Sequence, residues 1–149
     1  MDTSCLVHQL TGEERRLFQE QGYLIVEDAL DEAIRNQLIG IVDRIESRER
    51  RPENHGKLLS VTNVIQEDDH LVDLIDWPST FPKVWGILGW NIYLYHSHVD
   101  VTPPENAQAQ NWSVAWHQDS MRVNDEIESD PRPRLSVKVG YYLTDVSQP

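Results

Sequence analysis

The stretch WNIYLYHSHVDV, residues 90–101, is where the chain changes character. It is β-branched and aromatic and reads as one long strand, brought to an end by Pro103-Pro104. Upstream the apolar residues recur at helical spacing. Downstream, short apolar and aromatic runs alternate with polar turns. Helices first and strands afterwards predict an α+β domain whose sheet has barely begun by residue 149.

Working back from Trp90, a short helix is expected from near Pro82 to Gly89, with Val84, Ile87 and Leu88 inward. DDHLVDLIDW (68–77) also reads as helical, and LLSVTNV (58–64) as either a strand or a buried turn. Asp31 should cap a helix in which Ile34, Leu38, Ile41, Val42 and Ile45 form one face. That helix fades through the exposed, charged ESRERRPENHGK (46–57). In TGEERRLFQEQG (11–22), Thr11 and Glu14 have capping-box spacing and Gly22 supplies a left-handed stop. YLIVED (23–28) follows as a short strand. Downstream, WSVAWHQD (112–119) and RLSVKVGYYL (134–143) read as strands flanking a polar loop, SMRVNDEIESDPRP. The expectation is a single domain over 1–149, helical in 1–89 and sheet in 90–149.

Composition narrows the function. With 149 residues, 39% of them hydrophobic, and five tryptophans, the chain can bury one ordinary core. A formal charge of −12 makes nucleic acid an unfavoured partner, and its plainest use is solubility. No apolar run approaches the roughly 18 to 20 residues of a membrane span, and MDTSCLVHQL lacks the pattern of a secretory signal. The single cysteine, Cys5, excludes an internal disulfide and any cysteine-built metal site, which suits a cytoplasmic location. The oligomeric state is not legible.

The chemistry lies in two His-x-Asp triplets. Side chains at i and i+2 of a strand leave the same face about 7 Å apart at the backbone. His117 and Asp119 can therefore converge on one ion, and with a second histidine they would form the two-His-one-carboxylate set that suits Fe(II). With 6 His and 13 Asp in the chain, chance yields roughly 0.5 such triplets, so one match is weak. The other match, His98-Val99-Asp100, is extended by His96 into H-x-H-x-D, by spacing alone the better metal site, for instance for zinc. Both remain open on spacing, as does a purely structural role for each. His8, His55 and His70 read as surface residues. Trp112 and Trp116 read as core. Lys138 shares a face with Gly140 and Tyr142 and either attracts a carboxylate or faces solvent.

Four segments in order, LTGEERRLFQEQGYLIVEDAL, YHSHVDVTPP, AWHQDSMRVN and RLSVKVGYYLTDVSQP, resemble the phytanoyl-CoA dioxygenase family, from Leu10 to Pro149. These are Fe(II)- and 2-oxoglutarate-dependent oxygenases on a double-stranded β-helix, or jelly roll. The resemblance implies that His117 and Asp119 are the first two iron ligands. It implies that His98 and Gln118 contact 2-oxoglutarate, and that His96 and Asp100 neighbour the pocket or are ordinary strand residues. The implied partners are dioxygen and a small organic substrate, which is hydroxylated. Asp119, where halogenases carry a small residue, favours hydroxylation. Relatives often have a bulky aromatic where Gly140 stands. They are also longer, and take a second iron histidine and a 2-oxoglutarate arginine from later strands. No histidine follows Asp119 here, and the later arginines, Arg122, Arg132 and Arg134, fall in the predicted loop. The expectation is an N-terminal fragment, inactive alone, whose core is incomplete. The alternative is a non-catalytic jelly-roll module that binds a ligand or partner.

Overall fold

Capping residues written in the sequence set the first two helices of the computed structural model, which describes residues 7–103, 117, 119 and 121–145. Helix α1 (Gly12–Gln21) starts at a full capping box. The Glu14 N–H donates to Thr11 Oγ1 at 3.1 Å, and the Thr11 N–H donates to Glu14 Oε2 at 2.8 Å. It ends at Gly22, whose φ of 83° costs little without a Cβ. Helix α2 (Glu32–Glu49) is capped by Asp31, whose carboxylate accepts the Ile34 N–H at 2.8 Å.

After α2 come β1 (Leu59–Thr62), α3 (Asp69–Val72), α4 (Phe81–Leu88), β2 (His98–Val101) and α5 (Met121–Glu126). The ambiguous LLSVTNV is thus a strand. It pairs antiparallel with β2, Leu59 opposite Val101, Ser60 opposite Asp100, Val61 opposite Val99 and Thr62 opposite His98. Alternation gives this ribbon one apolar and one polar face. Against the apolar face lies the α2 stripe: Leu38, Ile41 and Ile45 are buried together with Val64 and Leu71, and Val61 and Val99 pack on that cluster. Each such side chain taken from water contributes about 1.5–3 kcal/mol. The helices and the open antiparallel sheet make an α+β fold with an incomplete double-stranded β-helix core.

The loop after α2 is largely exposed, as expected, with Arg50 at its start the exception. The Arg50 side chain is 10% exposed and pairs with Glu46 at 2.9 Å. It also donates to the Lys57 carbonyl at 2.7 Å and, more weakly, to the Val101 and Thr102 carbonyls at 3.4 and 3.3 Å. One guanidinium thereby ties the end of α2 to the end of β2. Helix α4 is fixed to α1 by a Lys83–Glu14 bridge of 2.6 Å and by Arg15 donating to the Gly86 carbonyl at 2.9 Å. A Cβ on Gly86 would lie 2.7 Å from Leu10 Cβ, so the close pass of the N-terminal segment requires glycine.

Several expected elements differ. Of the long strand over 90–101, only His98–Val101 is in a ladder. A strand needs a partner for its N–H and C=O groups, and β1 offers four residues. Trp90 instead packs edge-on against Trp85, with ring centroids 4.9 Å apart. YLIVED forms no ladder and turns at Asp28. The following carbonyl, of Ala29, accepts from Trp77 Nε1 at 2.6 Å and Ser79 Oγ at 3.2 Å. The α-helix within DDHLVDLIDW is only Asp69–Val72. The polar loop contains α5, supported by an Arg122–Glu126 pair at i,i+4 spacing. RLSVKVGYYL is irregular rather than a strand. WSVAWHQD lies outside the described residues except for His117 and Asp119. Among the described residues no helix is long and apolar enough to cross a membrane.

Two predictions follow from this packing. Leu38, 1% exposed, should cost about 2–5 kcal/mol in urea denaturation when replaced by alanine. Ile25, 76% exposed, should stay within about 0.5 kcal/mol on the same change. The second concerns acid. Asp68 caps α3, and its carboxylate meets His70 Nδ1 at 2.7 Å, the His70 N–H at 3.1 Å and Arg44 Nη2 at 2.7 Å. These contacts, the histidine's foremost, hold its pKa at about 2 against an ordinary 3.8. Its stabilising contribution is therefore complete above the unfolded value and lost as pH falls through the folded one. Asp68→Asn should flatten the acid limb of the stability profile between about pH 4 and pH 2.

Candidate metal centre

His117 and Asp119 stand just ahead of α5, and their side chains converge. His117 Nε2 lies 3.3 Å from Asp119 Oδ1, with the two side chains 54% and 36% exposed. Two ligand atoms in adjacent octahedral positions, each about 2.1 Å from an ion, are about 3 Å apart. The pair therefore matches the spacing of neighbouring ligands, and one imidazole nitrogen with one carboxylate oxygen is a donor set that suits Fe(II).

The other carboxylate oxygen has a different partner. Lys138 Nζ lies 2.6 Å from Asp119 Oδ2. Its hydrogen bond, aided by its charge and by the charge and hydrogen bond of His117, holds the Asp119 carboxyl below the usual carboxylate range, with desolvation opposing. Both roles open to Lys138 in the sequence are met, since its side chain pairs with a carboxylate and is 55% exposed.

The position of Lys138 is set by Tyr141, three residues on. The Tyr141 hydroxyl donates to the Leu74 carbonyl at 3.2 Å and meets Thr80 Oγ1 at 2.7 Å. Burial pushes this phenol up from its ordinary value, with the Thr80 hydrogen bond opposing. At the start of the same segment the Arg134 guanidinium sits 5.7 Å over the Phe18 ring. The segment bearing Lys138 is thus tied to the helical layer although it has no ladder. Gly140 and its neighbours Tyr141 and Tyr142 line a cavity of about 660 Å³ with Leu24, Val26 and Leu30. A Cβ at Gly140 would meet only Tyr142, at an ordinary 3.7 Å.

The second triplet is arranged differently. His98 and Asp100 are on the polar face of the ribbon, away from α2, with His98 Nε2 3.4 Å from Asp100 Oδ2. His96 precedes the ladder, so strand alternation does not govern it. Its ring stacks on that of His98, centroids 4.9 Å apart. Among the described residues no three of His, Cys, Asp and Glu gather as a metal-holding group. The H-x-H-x-D run is therefore not assembled into a cage, and His98 does not join His117 and Asp119. Gln118 lies outside the described residues. His8 and His55 are exposed, as expected. The His70 side chain, 44% exposed, is also at the surface, where it meets Asp68 and Gln37, whose Nε2 is 2.5 Å from its own.

The phytanoyl-CoA dioxygenase (PhyH) family model matches residues 18–148. The chain belongs to the phytanoyl-CoA dioxygenase family. No curated protein and no solved structure matches it.

Replacing Lys138 by methionine should move the Asp119 titration up toward its ordinary 3.8. Carboxyl-carbon NMR of the wild type and Lys138→Met checks this. Lys138→Arg should retain the lower value.

Proposed function

We propose that this chain carries part of the active site of an Fe(II)- and 2-oxoglutarate-dependent dioxygenase that hydroxylates a small organic substrate. The observation that supports the reading best is the 3.3 Å convergence of His117 Nε2 on Asp119 Oδ1 in a chain of this family. His117 would hold the metal through its neutral imidazole, and Asp119 through one oxygen that offsets one of the two charges. Fe(II), when bound, supplies the oxidative chemistry: 2-oxoglutarate, dioxygen and a substrate C–H become succinate, carbon dioxide and a substrate alcohol. The protein's part is to bind the partners, orient one C–H bond and exclude competing reactions. On this reading His98, on the polar sheet face, and Gln118 contact 2-oxoglutarate. On this reading a second histidine and an arginine complete the set, and no histidine follows Asp119 within these 149 residues.

A second reading is a non-catalytic jelly-roll module that binds a ligand or partner. It draws on the observation that no three-ligand group is formed among the described residues. Turnover separates the two. The full-length chain, supplied with Fe(II), 2-oxoglutarate and dioxygen, should release succinate. His117→Ala and Asp119→Ala should each lower that rate by at least about 100-fold. A full-length chain that binds 2-oxoglutarate yet releases no succinate with any C–H substrate class would favour the module.

A further inference from the structure

The reading of His117 and Asp119 as metal ligands leaves the second oxygen of Asp119 to be explained, and the inference here rests on that reading. We propose that Lys138 is the positioning residue for the metal-binding carboxylate: by holding Asp119 Oδ2 it makes Asp119 a one-oxygen ligand and keeps open the position that a second oxygen would take.

A carboxylate can bind a cation through one oxygen or through both. The two oxygens of Asp119 face different partners, Oδ1 at 3.3 Å from His117 Nε2 and Oδ2 at 2.6 Å from Lys138 Nζ. An ammonium has three donors and no acceptor, so it occupies Oδ2 without becoming a ligand itself. Its charge also repels a divalent ion from that side of the carboxylate. The contact is built into the fold, since the Lys138 segment is fixed to the helical layer by Tyr141 on Thr80 and Leu74. The other His-x-Asp pair offers a contrast. Among the described residues no lysine or arginine lies within ion-pair distance of Asp100, whose carboxylate meets only the imidazole of His98. The two His–Asp separations are nearly the same, 3.3 and 3.4 Å, so the cation on the carboxylate is what sets the two triplets apart.

An oxygenase site needs adjacent open positions for a chelating co-substrate and for dioxygen. A carboxylate that closed onto the metal with both oxygens would take one of them. Lys138, bound to Asp119 Oδ2, would oppose that closure.

Co(II) reports coordination number through the intensity of its visible d–d bands, which weaken as ligands are added. The test uses full-length wild type, Lys138→Met, Lys138→Arg and His117→Ala, titrated with Co(II) and then with 2-oxoglutarate. In Lys138→Met the Co(II) bands should weaken before any 2-oxoglutarate is added. Its Co(II) affinity should change by less than about threefold, because relief of charge repulsion and loss of orientation oppose one another. Its affinity for 2-oxoglutarate in the Co(II)-loaded state should fall by about tenfold. Lys138→Arg, which keeps the cation, should restore both the bands and the affinity. Unchanged bands in Lys138→Met overturn the proposal, whether or not 2-oxoglutarate binding falls. A parallel loss of Co(II) and 2-oxoglutarate affinity also overturns it, since that is what loss of local structure would give. Co(II) binding that survives His117→Ala in full defeats the underlying metal reading, independently of Lys138.

Discussion

The α2 stripe of Leu38, Ile41 and Ile45 against the apolar face of the β1–β2 ribbon is the contact from which the rest of the fold is arranged. It decides which way the ribbon faces. With Val61 and Val99 turned to the helix, His98 and Asp100 must leave the opposite side. A slip of one residue in β2 would bury an imidazole and a carboxylate and expose two valines. Arg50 reinforces the register from the end, joining the last turn of α2 to the carbonyls that close β2.

The candidate centre is held from the other direction. Tyr141 ties the segment 134–143 to Thr80 and to the Leu74 carbonyl. Lys138, three residues back, meets Asp119 Oδ2, and Asp119 Oδ1 lies 3.3 Å from His117 Nε2. The half-buried Tyr141 anchors the segment through Thr80 and Leu74, and two polar contacts then lead from the Lys138 ammonium to the Asp119 carboxylate and on to the His117 imidazole.

Much of this was legible in the residues because the relevant physics is local. Thr11 with Glu14, Gly22, and Asp31 mark helix ends through contacts within four residues, and those ends are where the sequence puts them. The 3.6-residue spacing of Leu38, Ile41 and Ile45 identified the buried face in the same way. The strands were harder. Residues 90–97 and YLIVED have strand composition, but a ladder depends on a partner distant in sequence, and composition does not report one. Helix α5 was missed because a polar run with Pro131 and Pro133 close behind it reads as loop, and its i,i+4 pair is a weak signal.

The two His-x-Asp triplets show the same division. Spacing favoured His96, His98 and Asp100, since three ligands at strand alternation outnumber two. Alternation fails at His96, which lies outside the ladder, so the count of ligands was misleading. Family resemblance pointed to His117 and Asp119, and that pair converges with ligand-like spacing. The cation behind Asp119 could not be assigned from the sequence, since it reaches across 19 residues from an irregular segment.

The central claim is that His117 and Asp119 act on one ion as a unit. A double-mutant cycle on Mn(II) binding, using wild type, His117→Ala, Asp119→Ala and the double variant, measures it most directly. Joint ligation predicts strong non-additivity, with either single change losing nearly as much affinity as both together. Additive losses, or singles that bind as the wild type does, would contradict the account.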